Sequence, residues 1–251
     1  MDKILEIKNV KKYFKLANKK IIKAVDDISF NIKKGETLGL VGESGCGKTT
    51  LGKIIMGIYK PERGQIIFFG KDIHLMDRIE YRNLSRKRQM IFQDGLSALN
   101  PRMTVKDILE EGMEIHKLYV DNRIKKVVEL LEIVGLTRDS LYRYPHEFSI
   151  GQAQRIGIAR ALALDPKFII LDEPISSLDV SIQAQIINLL LEIQRERNLS
   201  YLLIGHDLDI VRHMSDRIAI MKSGKIVELS STEEAWNNPN HPYTKMFLLQ
   251  E

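Results

Sequence analysis

The octapeptide Gly42-Glu43-Ser44-Gly45-Cys46-Gly47-Lys48-Thr49 constrains this chain more than any other feature. It satisfies the pattern G-x-x-x-x-G-K-[ST] at every fixed position. The apolar run Leu38-Gly39-Leu40-Val41 precedes it and reads as a buried parallel strand. Thr50 to Met56 follows it and reads as a helix. A strand, a glycine-rich loop and a helix in that order form a cradle for phosphate. The glycines let successive backbone N–H groups curl around an anion, and the helix start adds partial positive charge. Lys48 is placed to reach β- and γ-phosphates, and the Thr49 hydroxyl to hold Mg²⁺. Glu43, Ser44, Gly45, Cys46, Gly47 and Thr50 complete the expected nucleotide-binding set. Cys46, two residues before Lys48 at a helix N-terminus, is expected to carry a stabilised thiolate, to react when the loop is empty and to be protected by bound nucleotide; the alternative is a buried, inert thiol.

A chain of 251 residues fits one large domain, or a core with an inserted subdomain. Its 44% hydrophobic content is enough for a real core. The net charge of +5 is spread along the chain, so nucleic-acid binding is not indicated. With a single cysteine, neither an intramolecular disulfide nor a cysteine-based metal cluster can form. Met1 to Glu6 lacks the apolar core of a signal peptide, and no apolar run approaches the roughly 20 residues of a spanning helix. The expected location is cytosolic, with any membrane link made through partners.

Short alternating or apolar runs at 4–10 and 21–32 read as strands, with turn signals at Asn18-Lys19-Lys20 and Lys33-Lys34-Gly35. The run from Gly64 to Gly70 reads as a further strand, giving a small antiparallel sheet. From 104 to 135 the pattern turns helical, with Val105, Ile108, Leu109 and Met113 on one face, then Ile124, Val127, Val128 and Leu131. Strand and helix alternate again from Phe168-Ile169-Ile170-Leu171 onward. Ser181 to Arg197 reads as a long helix, apolar on most faces and so expected to be buried. Tyr201 to Gly205 is the next strand, and Lys222-Ser223-Gly224 joins two more as a hairpin.

Asp172 and Glu173 directly follow the apolar strand 168–171. The carboxyl end of a parallel strand faces the ligand crevice. There Asp172 can hold Mg²⁺ through water, and Glu173 can polarise an attacking water. Gln93, after Met90-Ile91-Phe92, can coordinate Mg²⁺ or sense the γ-phosphate; the alternative is a plain surface turn. His206 ends the run Leu202-Leu203-Ile204-Gly205, where it can touch a γ-phosphate by a hydrogen bond. Ser149 is a plausible N-cap for an apolar helix that starts with Ile150-Gly151-Gln152, which makes a second anion site. Two phosphate sites in one chain suit a dimer that shares its ligands across an interface.

Together these residues resemble the nucleotide-binding subunit of an ATP-binding cassette (ABC) transporter, over essentially the whole chain. Walker A matches Gly42 to Thr49, the Q-loop Gln93, and Walker B Phe168 to Asp172 with Glu173. The D-loop matches Ser177-Leu178-Asp179, and the switch histidine matches His206. The signature Leu-Ser-Gly-Gly-Gln matches at Ser149, Gly151 and Gln152, but departs at Phe148 and Ile150. In the family an aromatic near the N-terminus stacks on adenine; Phe14 fits best by spacing, with Tyr13 as the alternative. Asn100-Pro101-Arg102-Met103-Thr104, the run Leu178 to Gln185 and His241-Pro242-Tyr243-Thr244 resemble the oligopeptide/dipeptide/nickel importer group. Ending at Glu251 with one cysteine, the chain resembles the shorter of two partner ATPases, without the cysteine-rich extension.

The resemblance implies an α/β fold: a P-loop NTPase core with a mostly parallel sheet, an N-terminal antiparallel β subdomain and an inserted helical subdomain. Core and β subdomain are expected over 1–92 and 165–230, the helical subdomain over 93–164, and a C-terminal tail over 231–251. ATP and Mg²⁺ are the implied ligands, and Gln93, Lys48, Glu173 and His206 the implied catalytic set. A paralogous ATPase in a head-to-tail dimer, two permease subunits and, indirectly, an external substrate-binding protein are the implied partners, with no nucleic acid. The chain would sit peripherally on the cytoplasmic face of the membrane. ATP-driven closure of the dimer would power import of peptides, or alternatively of nickel or a metal chelate. A non-transport ABC ATPase and a weakly hydrolysing scaffold are the remaining readings. Ile150 motivates the scaffold: a β-branched residue disfavours positive φ, so a left-handed signature backbone would be strained there. With negative φ and an outward side chain, Ser149 and the Gly151 N–H would work normally.

Overall fold

The computed structural model describes residues 2–15 and 20–248. In chain order its regular elements are β1 (Lys3–Lys15), β2 (Ile21–Lys33), β3 (Thr37–Val41), α1 (Lys48–Ile55), β4 (Arg63–Phe68), β5 (Lys71–Asp72), α2 (Arg78–Ser85) and β6 (Arg88–Ile91). They continue with α3 (Val105–Ile115), α4 (Arg123–Ile133), α5 (Ile150–Leu162), β7 (Phe168–Asp172), α6 (Val180–Arg197) and β8 (Ser200–Ile204). The last are α7 (Leu208–Met214), β9 (Arg217–Lys222), β10 (Lys225–Ser231), α8 (Thr232–Asn237) and α9 (Pro242–Leu248). The chain divides into two compact units, one of residues 1–81 with 198–251 and one of residues 82–197.

The first unit holds an antiparallel sheet in the order β2-β1-β4-β5, and the strands β10-β9-β3-β8 side by side. β3 pairs in parallel with both β8 and β9, and β10 closes antiparallel on β9. Every residue of β3 and of β8 is buried, as their unbroken apolar runs require of doubly covered parallel strands. β9 and β10 are joined by Ser223-Gly224 alone, both at positive φ, which is the geometry a two-residue hairpin turn demands. A second such turn at Phe69-Gly70 ends β4 at Phe68, earlier than the glycine-to-glycine strand expected from sequence. Of the expected Asn18-Lys19-Lys20 turn, Asn18 and Lys19 lie outside the described residues.

The second unit pairs β6 with β7 in parallel and carries helices α3 to α6. Thr104 starts α3 through a reciprocal capping box with Asp107, which satisfies two helix-end donors at once. The buried stripe of α4 is Val127, Leu130 and Leu131, whereas Ile124 is exposed and Val128 half-buried. The helical repeat that fits this core therefore starts one turn later than the sequence pattern alone suggested. α6 also departs from expectation. It buries one stripe, Ile186, Ile187, Leu189, Leu190 and Ile193, while its first turns stay open and Val180 is 80% exposed. Its apolar residues outnumber the positions its unit can cover.

Candidate functional site

The phosphate loop leaves β3 at Val41 and enters α1 at Lys48, both in the first unit. Gly42, Gly45 and Gly47 have φ of 150°, 78° and 115°. A Cβ on Gly42 would sit 2.1 Å from the Met221 carbonyl oxygen, and one on Gly47 would sit 2.0 Å from that of Ala24. The loop is thus pressed between β2 and β9, and only glycine fits at those two points. Cys46 N–H donates to the Glu43 carbonyl, and the Cys46 carbonyl accepts from Gly224 N–H of the β9–β10 turn at 2.9 Å. Lys48 is buried and donates to the carbonyl oxygens of Gly42 at 2.7 Å and Glu43 at 3.1 Å. The ammonium is therefore held on the loop itself. Glu43, Ser44, Gly45 and Thr49 are exposed, while Gly47 and Thr50 are half-buried.

Cys46 corrects an expectation. Its thiol is 7% exposed, and burial pushes its pKa above the ordinary range, outweighing the opposing charge of Lys48. A desolvated thiol loses its thiolate, so reactivity falls where a helix N-terminus alone would raise it. Cys46 is expected to alkylate at least about tenfold more slowly than a free thiol even without nucleotide. Mass spectrometry after timed labelling checks this, and labelling as fast as glutathione would contradict it.

The two aromatic candidates have different surroundings in the first unit. Tyr13 donates its hydroxyl to Asp26 Oδ1 at 2.5 Å, which lowers the Asp26 pKa and raises its own. Phe14 meets Tyr59, just beyond α1, edge to face at 5.7 Å, with the Lys12 ammonium 5.5 Å from its ring. Tyr59 was not singled out by sequence. Its only signal was an aromatic shortly after the phosphate-loop helix, which many core positions share. His206 is exposed just past the carboxyl end of β8 in the same unit.

The remaining candidates belong to the second unit. Gln93 is exposed two residues beyond β6. Asp172 ends β7 and is 6% exposed. Glu173 follows at φ 49°, a left-handed conformation that costs a non-glycine residue roughly 1–2 kcal/mol. Such strain at a carboxylate marks a position where the direction of the side chain outweighs backbone comfort. Asp179 caps α6, accepting from Ser181 Oγ at 2.7 Å and Ile182 N–H at 3.0 Å; the serine contact leads in lowering its pKa.

Ser149 caps α5 as expected, accepting the Gln152 N–H at 3.3 Å while Gln152 Oε1 accepts the Ser149 N–H at 3.1 Å. Ile150 is the first residue of α5, is not among the positive-φ residues and is 49% exposed. The left-handed strain considered for it is absent. Gly151 is the sterically bound position instead: a Cβ there would lie 2.7 Å from Ile182 Cγ2 at the start of α6. A helix N-terminus capped this way presents N–H groups and a positive dipole end to an anion.

A family model described as ABC transporter matches residues 25–176. The oligopeptide transport ATP-binding protein OppF of Bacillus subtilis (strain 168) is 56% identical over 250 residues, covering 98% of this chain and 82% of that protein. The dipeptide transport ATP-binding protein DppF of Lactococcus lactis subsp. cremoris (strain MG1363) is 52% identical over 250 residues, covering 98% and 80%. Among solved structures, the ATP-binding cassette MJ0796 as a dimer in a post-hydrolysis state with ADP and Pi superposes with TM-score 0.81 at 30% identity, over 91% of this chain and 98% of that one. The chain cbiO1 from Clostridium perfringens, part of the transporter complex cbiONQ, gives TM-score 0.82 at 29% identity over 100% and 99%.

Proposed function

The chain belongs to the ABC transporter family and is an ATPase, and from that premise we propose that its hydrolysis powers import of oligopeptides or dipeptides across a cytoplasmic membrane. The observation that carries the reading is the phosphate loop, whose glycines Gly42, Gly45 and Gly47 sit at positive φ and whose Lys48 opens α1. Peptide cargo draws its support from relatives named for oligopeptide and dipeptide transport at half identity or more, which disfavours nickel or a metal chelate. Among the described residues no helix is long and apolar enough to cross a membrane. Permease subunits are therefore the proposed route of the cargo, and the membrane's cytoplasmic face the proposed location.

In this reading the loop and α1 bind the ATP phosphates, and Phe14 stacks on adenine. Thr49, Asp172 and Gln93 offer hydroxyl, carboxylate and amide oxygens, a donor set suited to Mg²⁺. Bound there, the ion would neutralise charge on the β- and γ-phosphates. Glu173 takes a proton from the attacking water, and His206 donates a hydrogen bond to the γ-phosphate. Ser149, Gly151 and Gln152 open the α5 N-terminus toward the γ-phosphate held by a partner ATPase, so two chains close head to tail around two nucleotides. That partner is proposed to be a paralogue, and an external binding protein to supply the peptide. The helical subdomain with the signature is assigned to 93–164, between core segments 1–92 and 165–230, with a tail at 231–251.

The test is uptake of a labelled tripeptide by proteoliposomes carrying the assembled transporter. Uptake is expected to need internal MgATP and to fall at least about 10²-fold with Lys48→Ala, since the lysine supplies charge to the transferred phosphoryl group. Uptake of nickel but not peptide would reverse the cargo assignment.

A further inference from the structure

Phe14, the ring assigned above to the base, is met by an aromatic that the nucleotide chemistry leaves without a role. Phe14 lies one residue before the end of β1, pairs with Ile22 on β2 and is half-buried. The Tyr59 ring meets it edge to face, with 5.7 Å between centroids and 74° between planes. That arrangement sets the electropositive edge of one ring against the electronegative face of the other, so it fixes an angle as well as a distance. Tyr59 is itself anchored on both sides in the chain. Before it, α1 ends on Gly57 at φ 76°, with Gly57 N–H donating to the Ile54 carbonyl and Ile58 N–H to the Lys53 carbonyl, each at 2.9 Å. These paired bonds close the last helical turn and set the direction of the chain that leaves it. Tyr59 N–H donates to the same Lys53 carbonyl at 3.3 Å, and the Lys53 ammonium lies 5.8 Å from the Tyr59 ring centroid. After it, Glu62 N–H donates at 2.8 Å to the carbonyl of Lys11 on β1, the strand that carries Phe14. α1 begins at Lys48, ends shortly before Tyr59, and its 8 residues span about 12 Å. One short helix thus refers the phosphate end and the aromatic ring to a single rigid element.

We infer that Tyr59 is a positioning residue for the base: it holds the Phe14 ring at the angle on which a nucleotide base stacks, and so adds to affinity for nucleotides but not for a phosphate chain alone. The role rests on the reading of Phe14 as the base platform. A ring near a strand end that swings freely loses that freedom when a ligand stacks on it; a ring already braced by Tyr59 loses less.

The test titrates the full chain by calorimetry with Mg-ADP and with Mg-tripolyphosphate, which carries phosphates and no base, beside thermal melting to confirm that each variant is folded. Tyr59→Leu keeps an apolar side chain and removes the ring. It is expected to raise the Kd for Mg-ADP by about two- to tenfold, the contribution of one aromatic pair, and to leave that for Mg-tripolyphosphate unchanged. Tyr59→Phe keeps the ring and should bind Mg-ADP as the wild type does. Phe14→Leu should weaken Mg-ADP at least as much as Tyr59→Leu. The double variant should lose no more than Phe14→Leu alone, because Tyr59 acts through Phe14. A role confined to holding α1 would weaken both ligands together and would overturn the proposal. So would additive losses, or wild-type affinity in Tyr59→Leu where Phe14→Leu is impaired. If Phe14→Leu binds Mg-ADP normally, the base platform itself falls, and the Tyr59 role with it.

Discussion

Glu173→Gln is expected to slow ATP hydrolysis by at least about 10²-fold, the contribution of a positioned general base, and to leave nucleotide affinity unchanged. Glutamine keeps the shape and loses the proton acceptor. The left-handed backbone at Glu173 permits a second variant that separates role from fold. Glu173→Gly removes the Cβ that makes φ 49° costly, so stability should rise by roughly 1 kcal/mol while turnover still collapses. A residue held for structure would show the opposite, loss of stability with retained activity. Steady-state hydrolysis by the assembled transporter, with the partner's site silenced, and a denaturant melt measure both quantities. Unchanged turnover in Glu173→Gln would remove the carboxylate from its role.

The second large effect is steric. Gly47→Ala places a Cβ 2.0 Å from the Ala24 carbonyl and 2.7 Å from Met221 Cε, at φ 115°. The Met side chain can move; the β2 backbone cannot, because Val25 and Lys23 on either side pair with β1. Gly47 is also the residue that caps α1, so a shift there moves Lys48. A loss of about 2–4 kcal/mol is expected, the size associated with strain at a special backbone position. Mg-ADP affinity should fall at least about tenfold with it, because Lys48 must stay aligned with the phosphates. Gly45→Ala is the matched control. Its φ is also positive at 78°, but nothing lies within 4 Å of its Cβ. It should cost only about 1 kcal/mol, the general penalty for alanine in a left-handed conformation. Equal losses in the two variants would show that φ alone, and not the contact with β2, sets the requirement.

Much of the site was legible because its chemistry is local in sequence. The fixed spacing of Gly42, Gly47, Lys48 and Thr49 follows from one turn of backbone around phosphate. Asp172 and Glu173 were readable because a run of four apolar residues announces a covered strand, and its carboxyl end is where ligands bind. The Ser149 cap needed only its neighbour Gln152. Fold class was legible for the same reason: the buried strands β3, β7 and β8 are unbroken apolar runs, and the helical stretch beyond 104 changes period.

What tertiary structure decided were burial and long-range contact, which no short window of sequence carries. Cys46 is inert by expectation because burial desolvates a thiol that in sequence sits at an open helix start. Ile150 carries no left-handed strain because it begins α5, and the close approach of α6 moves the glycine requirement to Gly151. α6 turned out half-open because the apolar residues of a helix show what it can bury, whereas its neighbours set what it does bury. Tyr243 is buried beside Lys222, and the entry into its helix is held by Glu228 on β10, which accepts the backbone N–H groups of Asn240 and His241. The sequence by itself determined which residues can do phosphate chemistry, because that chemistry needs fixed atoms at fixed local spacing. Only the tertiary structure decided which of them are buried, strained or anchored, because those properties belong to neighbours that the chain brings in from afar.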